Sequence, residues 1–90
     1  MTGGEALARL RAARARAVGT NQTAKAIARG RAAEVFVAAD ADRRVLDPVM
    51  RAAVERGVGL IEVESMTALG RACGIAVGAA AAAVLVDEPT

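Results

Sequence analysis

Asn21, Gln22 and Lys25 fall within about one helical turn of one another in the stretch Gly19-Thr20-Asn21-Gln22-Thr23-Ala24-Lys25. Asn21 and Lys25 are i, i+4 neighbours, so a helix sets them on one side. Carboxamides beside an ammonium can read the edges of nucleic-acid bases, the ammonium favouring guanine O6 and N7. A helix opening here also presents unpaired N–H groups and a partial positive charge, which attract phosphate. Lys25 is the single lysine beside eleven arginines among the twelve basic residues, which marks a position suited to a slim cation. The same residue types also suit an ordinary polar first turn.

Catalytic chemistry finds little support. The chain has no histidine, the commonest general base. Ser65 is the sole serine and no base partner for a triad is identifiable. Cys73 has no histidine to activate it and reads as a small buried helix residue. Asp40 and Asp42 could hold a hard cation, but nothing nearby completes such a site and loop capping suits them better. Phosphate-loop and dinucleotide fingerprints are missing. The sequence therefore assigns no catalytic residue, no metal ligand and no cofactor.

The 90 residues suffice for one domain, spanning 1–90. Hydrophobic residues make up 54%, too many for a disordered chain. Much of that share is alanine, which implies close packing of elements in place of large anchors. One Phe, with no Tyr or Trp, argues against modules that stack bases on aromatic rings. A lone cysteine excludes an internal disulfide and fits a reducing cytosol. No secretory pattern opens the chain. The longest apolar run, Ala72 to Val86, falls short of the ~20 residues that span a bilayer, despite the small-residue spacing of Gly70, Gly74 and Gly78. Charge is uneven: residues 1–44 carry nine basic and four acidic side chains (+5), and residues 45–90 carry three basic and six acidic (−3). Such asymmetry fits either a nucleic-acid face or a solvated arginine-rich helix.

These residues need elements to hold them. Helix formers dominate residues 4–16, with Leu7, Leu10 and Ala17 on one stripe. Thr20 suits an N-cap for a helix from Asn21 to Arg29, ended by Gly30. Residues 34–39 read as a short buried strand and 40–44 as a polar loop. Asp47 before Pro48 suggests a helix start, running to about Arg56 with Gly57 closing it. A strand over 59–63, a helix from Met66 to about Cys73 capped by Ser65, a loop over 74–78 and a last element over 80–86 follow. Its alanine run suits a helix by propensity. Asp87 to Thr90 read as frayed. The alternation predicts a three-layer α/β domain with a small, mostly parallel sheet and helices on both faces.

The stretch Gly19 to Lys25 with Gly30 resembles the signature of kink-turn-binding ribosomal proteins of the L7Ae and L30e type. Ala38-Ala39-Asp40-Ala41-Asp42 is similar to that family's acidic loop after a strand. Leu69 to Ala80 is similar to its most recognisable run, and Val63-Glu64-Ser65-Met66 resembles the short bacterial members. The resemblance covers nearly the whole chain. It implies an α/β/α sandwich around a four-stranded mixed sheet, and a strand after Ala82.

The resemblance further implies binding to kink-turn RNA. Residues matching Asn21, Gln22 and Lys25 would contact the guanines of tandem sheared G·A pairs, with Gly19 and Thr20 in the same turn. The loop matching Ile75, Ala76 and Val77 would pack on the extruded nucleotides, with Asp40 and Arg71 bordering the surface. Gln22 stands where archaeal and eukaryotic members have Glu, which keeps an acceptor and loses a charge. Arginines of the N-terminal half would add salt-sensitive phosphate attraction. The expected protein is a cytoplasmic, bacterial, monomeric RNA binder. Its expected partners are ribosomal RNA or a structured mRNA element and the ribosome, with no membrane. A protein-interaction module of the same fold is the alternative.

Overall fold

Four consecutive residues, Val35 to Ala38, are buried. A strand hides such a run only where both of its faces are covered. The computed structural model, which describes residues 2–86, supplies that cover. In chain order the elements are α1 (Thr2–Ala12), β1 (Arg16–Val18), α2 (Thr20–Ala28), β2 (Ala32–Ala38), α3 (Arg43–Arg56), β3 (Leu60–Val63), α4 (Met66–Ala72) and β4 (Ala81–Leu85). The sheet order is β1-β4-β2-β3. β4 is antiparallel to both β1 and β2, whereas β2 and β3 are parallel.

The pleat sends alternate residues of β2 and β4 into two cores. Phe36 and Ala82 join Leu10 of α1 and Leu69 of α4 on one face. Val35, Val37, Ala81 and Ala83 join Ile27 of α2 with Leu46 and Val49 of α3 on the other. This is the α/β/α sandwich around a four-stranded mixed sheet that the family resemblance implies. Ala81, Ala82 and Ala83 are fully buried. Their small side chains let helices approach the central strand closely from both sides, and pairing on both edges overrides alanine's helical preference.

Four local expectations are corrected. The sheet is not mostly parallel, because two of its three pairings are antiparallel. An alternating pattern yields parallel strands only when every connection is a helical crossover. Here the loop after α4 carries the chain back along that helix, so β4 starts where β2 finishes. The first helix stops at Ala12, and Arg16 to Val18, read as its continuation, pair with Val84 to Ala82. The N-cap of α2 is Gly19, not Thr20. α3 begins at Arg43, not beside Pro48: Asp42 is the N-cap, and its side chain accepts a hydrogen bond from Arg44 N. Pro48 lies inside the helix, where the N–H it lacks would have met the exposed first turn. The expected fraying of 87–90 lies outside the described residues.

Thr23, on the inner side of α2, is fully buried, and its Oγ1 has no hydrogen-bond partner among the described residues. A buried hydroxyl left unpaired costs about 1–3 kcal/mol. Thr23→Val keeps the shape and removes that cost. We expect the variant to be more stable by about 1 kcal/mol in urea denaturation. A lowered midpoint would show that the hydroxyl contributes a bond.

Candidate nucleic-acid interface

The inner side of α2 is set by Thr23, Ala26 and Ile27, which are buried at helical spacing. Asn21, Gln22 and Lys25 therefore face outward, and all three are exposed. Gly19, before them, has φ 94° and ψ 159°, a conformation open to glycine and strained for other residues. It supplies no side-chain cap, so the first N–H groups of α2 keep their free donors. Thr20 is half-buried at the helix start.

Backbone hydrogen bonds fix what lies beside this turn. Gly19 N donates to Ala81 O at 2.8 Å, and Ala38 N donates to Ala80 O at 2.9 Å. Ala39 N donates to Val63 O at 2.8 Å, and Met66 N donates to Asp40 Oδ1 at 2.8 Å. Ala79 N donates to Met66 O at 3.0 Å and completes the chain of contacts. The ends of β1, β2 and β3 and the start of β4 thus meet at one end of the sheet. The α2 turn, the acidic loop and the 75–78 segment all leave from that end.

The 75–78 segment lies along α4. Gly70 has no room for a side chain, because a Cβ there would collide with the Val77 carbonyl. At the other end of the segment, a Cβ on Gly78 would come within 3.0 Å of Met66 Cβ. Ile75 N donates to Gly70 O at 3.0 Å, and the Ile75 side chain packs against the core. Ala76 and Val77 stay outside, and Val77 is 71% exposed, a large apolar side chain in open view.

Most of the singled-out residues share this end: Gly19 to Lys25 on the turn, Asp40 on the loop and Ala76 with Val77 on the segment. Arg71 is the outlier. It is exposed in the last turn of α4, next to Gly70 and a helix length from the Asp40 contact. Sequence reasoning missed Arg43 and Arg44, which begin α3 at the same end. The β2–α3 loop had been read without a helix start, and the Asp42 side-chain cap is the signal that marks one. The remaining N-terminal arginines are not brought here. Arg11, Arg14, Arg29 and Arg31 lie near the ends of α1 and α2 and the starts of β1 and β2, at the opposite end of the sheet.

The two aspartates act as helix caps. Asp40 binds the start of α4, and Asp42 accepts from Arg44 N at 2.8 Å and pairs with its Nε at 3.6 Å. Among the described residues no group of three or more His, Cys, Asp or Glu side chains gathers to hold a metal. Cys73 is buried; desolvation pushes its thiol up from the ordinary range, against the lowering influence of Arg16. It is held as an inert thiol. Among the described residues no helix is long and apolar enough to cross a membrane.

The arrangement defines a class: an α/β/α module that displays an uncapped polar helix start beside an apolar loop. The family described as "Ribosomal protein L7Ae/L30e/S12e/Gadd45 family" matches residues 1–89, and the chain belongs to it. It is similar to an RNA-binding protein of Geobacillus sp. (strain WCH70), 53% identical over 68 residues that cover 76% of this chain and 83% of the relative. It is also similar to the large ribosomal subunit protein eL8 of Halobacterium salinarum, 46% identical over 68 residues, 74% of this chain and 57% of that one. Among solved structures, the Giardia lamblia 15.5kD RNA binding protein superposes with a TM-score of 0.84 at 31% identity, covering 93% of this chain and 73% of that one. The names of these relatives are those of RNA-binding and ribosomal proteins, not enzymes.

Gly70→Ala tests the seating of the 75–78 segment. Overpacking there costs about 1–3 kcal/mol, so the urea midpoint should fall. Gly4→Ala, in α1 with nothing within 4 Å of the new methyl, should raise it by about 0.5–1 kcal/mol. Equal effects of the two changes would show that the segment does not rest on α4.

Proposed function

We propose that the chain binds kink-turn RNA, without catalysis, as a ribosomal or ribosome-associated protein. The observation that carries this reading is the exposure of Asn21, Gln22 and Lys25 at an uncapped helix start, tied by the Gly19–Ala81 hydrogen bond to the segment bearing Ala76 and Val77. Family membership and the RNA-binding names of the relatives support it.

The roles divide by chemistry. Free N–H groups at Thr20 and Asn21, past the Gly19 N–H that is held by Ala81 O, take a phosphate oxygen. Asn21 and Gln22 offer carboxamides, and Lys25 a cation, to the guanine edges of sheared G·A pairs. Ile75 holds the loop in the core while Ala76 and Val77 lie against unstacked nucleotides. Asp40 keeps that loop and the turn in register through α4, and Arg71 reaches RNA beyond the loop. An apolar surface of this kind favours the bent RNA over the extended form, because only the bent form presents unstacked bases to it. On this reading the protein is a cytoplasmic, bacterial, monomeric component of ribonucleoprotein, with ribosomal RNA or a structured mRNA element as target.

A gel-shift titration of a kink-turn RNA against a plain duplex of equal length tests the reading. Parent protein should prefer the kink-turn. Asn21→Ala and Lys25→Ala should each weaken kink-turn binding by about 1–3 kcal/mol, roughly 5- to 150-fold. Equal affinity for the two RNAs would favour a protein-interaction module of the same fold.

A further inference from the structure

The charge of this molecule is not where its recognition turn is. At the α2 turn, Lys25, Arg43 and Arg44 are matched by Asp40, Asp42 and Glu64. At the opposite end, Arg11, Arg14 and Arg16 leave the α1–β1 connection, Arg29 and Arg31 the α2–β2 turn, and Arg56 the last turn of α3. Backbone pairing draws these segments together. Leu85 N donates to Ala15 O at 3.0 Å, and Leu85 also pairs with Ala32. The first two connections therefore lie two strand spacings apart, about 10 Å. Arg56 Nε donates to Ile27 O at 3.3 Å, and its guanidinium lies against Gly30, which adds the third.

Helix C-termini attract cations, and that explains part of the cluster. Arg16 Nη1 donates to Ala72 O at 3.2 Å and to Leu10 O at 3.5 Å, and Arg56 meets the end of α2. Arg11, Arg14 and Arg29 do no such work: each is exposed, and its side chain makes no hydrogen bond or ion pair among the described residues. The nearby Glu34 is already held by Arg9, at 2.8 Å between Nη2 and Oε2. Glu55 is an exposed acid beside Arg56, and among the described residues the six arginines outnumber it by five at this end.

We propose that this arginine end is a second RNA site, one that holds phosphate backbone without regard to sequence and lies apart from the α2 turn. Guanidiniums bind phosphate as a planar fork. Phosphate contacts position a protein and carry no sequence information. An acidic protein is the poorer fit, because interfaces between proteins centre on apolar anchors. Of the exposed large apolar side chains among the described residues, Val86 and Val54 lie at this end, Val54 in the last turn of α3; Val45 and Met50 lie earlier on α3 and Val77 on the loop, so no apolar centre forms among the arginines. The Cα extents are 31 × 28 × 24 Å. β2, seven residues and about 20 Å long, runs between the two ends, so Arg11 and Arg14 lie beyond the ~8 Å screening length from the turn, while Arg29 stands one helical turn from Lys25 on α2.

The test uses a plain, bulge-free RNA duplex, so it reads independently of kink-turn selectivity. Fluorescence anisotropy gives the slope of log K against log salt for the parent and two triple variants. Arg11→Gln, Arg14→Gln, Arg29→Gln should flatten the slope by about 2–3 units, on the order of one per lost phosphate contact. Lysine at the same three positions should restore it. Arg43→Gln, Arg44→Gln, Arg51→Gln, three changes on α3 that leave the α2 turn intact, should leave it unchanged. The three arginine side chains make no bond among the described residues, so thermal melting of the first variant should match the parent. An unchanged slope in the first variant, or an equal loss in the second, would overturn the proposal. So would tighter binding of polyglutamate than of a duplex of equal charge, which would assign the face to an acidic protein.

Discussion

β4 is bonded on both edges and covered on both faces, and the molecule is organised around meeting those two demands together. Its backbone has no access to water, so every N–H and C=O in Ala81 to Ala83 must find a partner in β1 or β2. Its side chains must be small, because α1 and α4 close on one face and α2 and α3 on the other. The same ladder continues past the strand: Gly19 bonds Ala81 and Ala38 bonds Ala80. The contacts that satisfy the core therefore also set the α2 turn beside the loop. Stability and site geometry rest on one set of hydrogen bonds.

Glycine does a different job at each contact point. Gly19 turns the chain from β1 into α2 at a positive φ. Gly70 lets the Val77 carbonyl approach a helix surface. Both requirements are steric and local, yet each fixes where a polar or apolar side chain emerges several residues away. The site is thus built from backbone geometry first, with Asn21, Lys25 and Val77 mounted on it.

Much of this was legible in the sequence, and the failures have physical reasons. The helix over Asn21 to Arg29, with Asn21 and Lys25 on one side of it, was readable from their i, i+4 spacing. Phe36 between two valines marked the buried strand, and Ser65 marked the start of α4, where its Oγ accepts from Ala68 N at 3.0 Å. The strand Arg16-Ala17-Val18 was invisible because its composition continues that of α1; only pairing with β4 makes it a strand. The start of α3 was misplaced because Asp42 and Asp47 carry the same capping chemistry, and the proline drew the boundary to the second. The antiparallel course of β4 depends on a loop that lies back along α4, a tertiary fact with no local signature. The residue pattern alone gave the motif at Gly70 and no hint of which atom it admits.

The separation of charge from selectivity has a mechanical consequence. A turn whose neighbouring charges cancel attracts RNA weakly from a distance and discriminates on contact, through hydrogen bonds that require the right base edges. A cluster of guanidiniums attracts from farther away and discriminates poorly. Placed on one surface, the second property would raise affinity for every RNA and blunt the selectivity of the first, because nonspecific contacts would form in the same pose. Placed at opposite ends of the sheet, they act independently. On the proposed assignment, salt weakens the arginine end steeply while the turn, with its matched charges, changes little. The fold keeps the two apart because β1, β2 and β3 all run toward the turn, which leaves the C-termini of α1, α2 and α3, and the cations that suit them, at the other end.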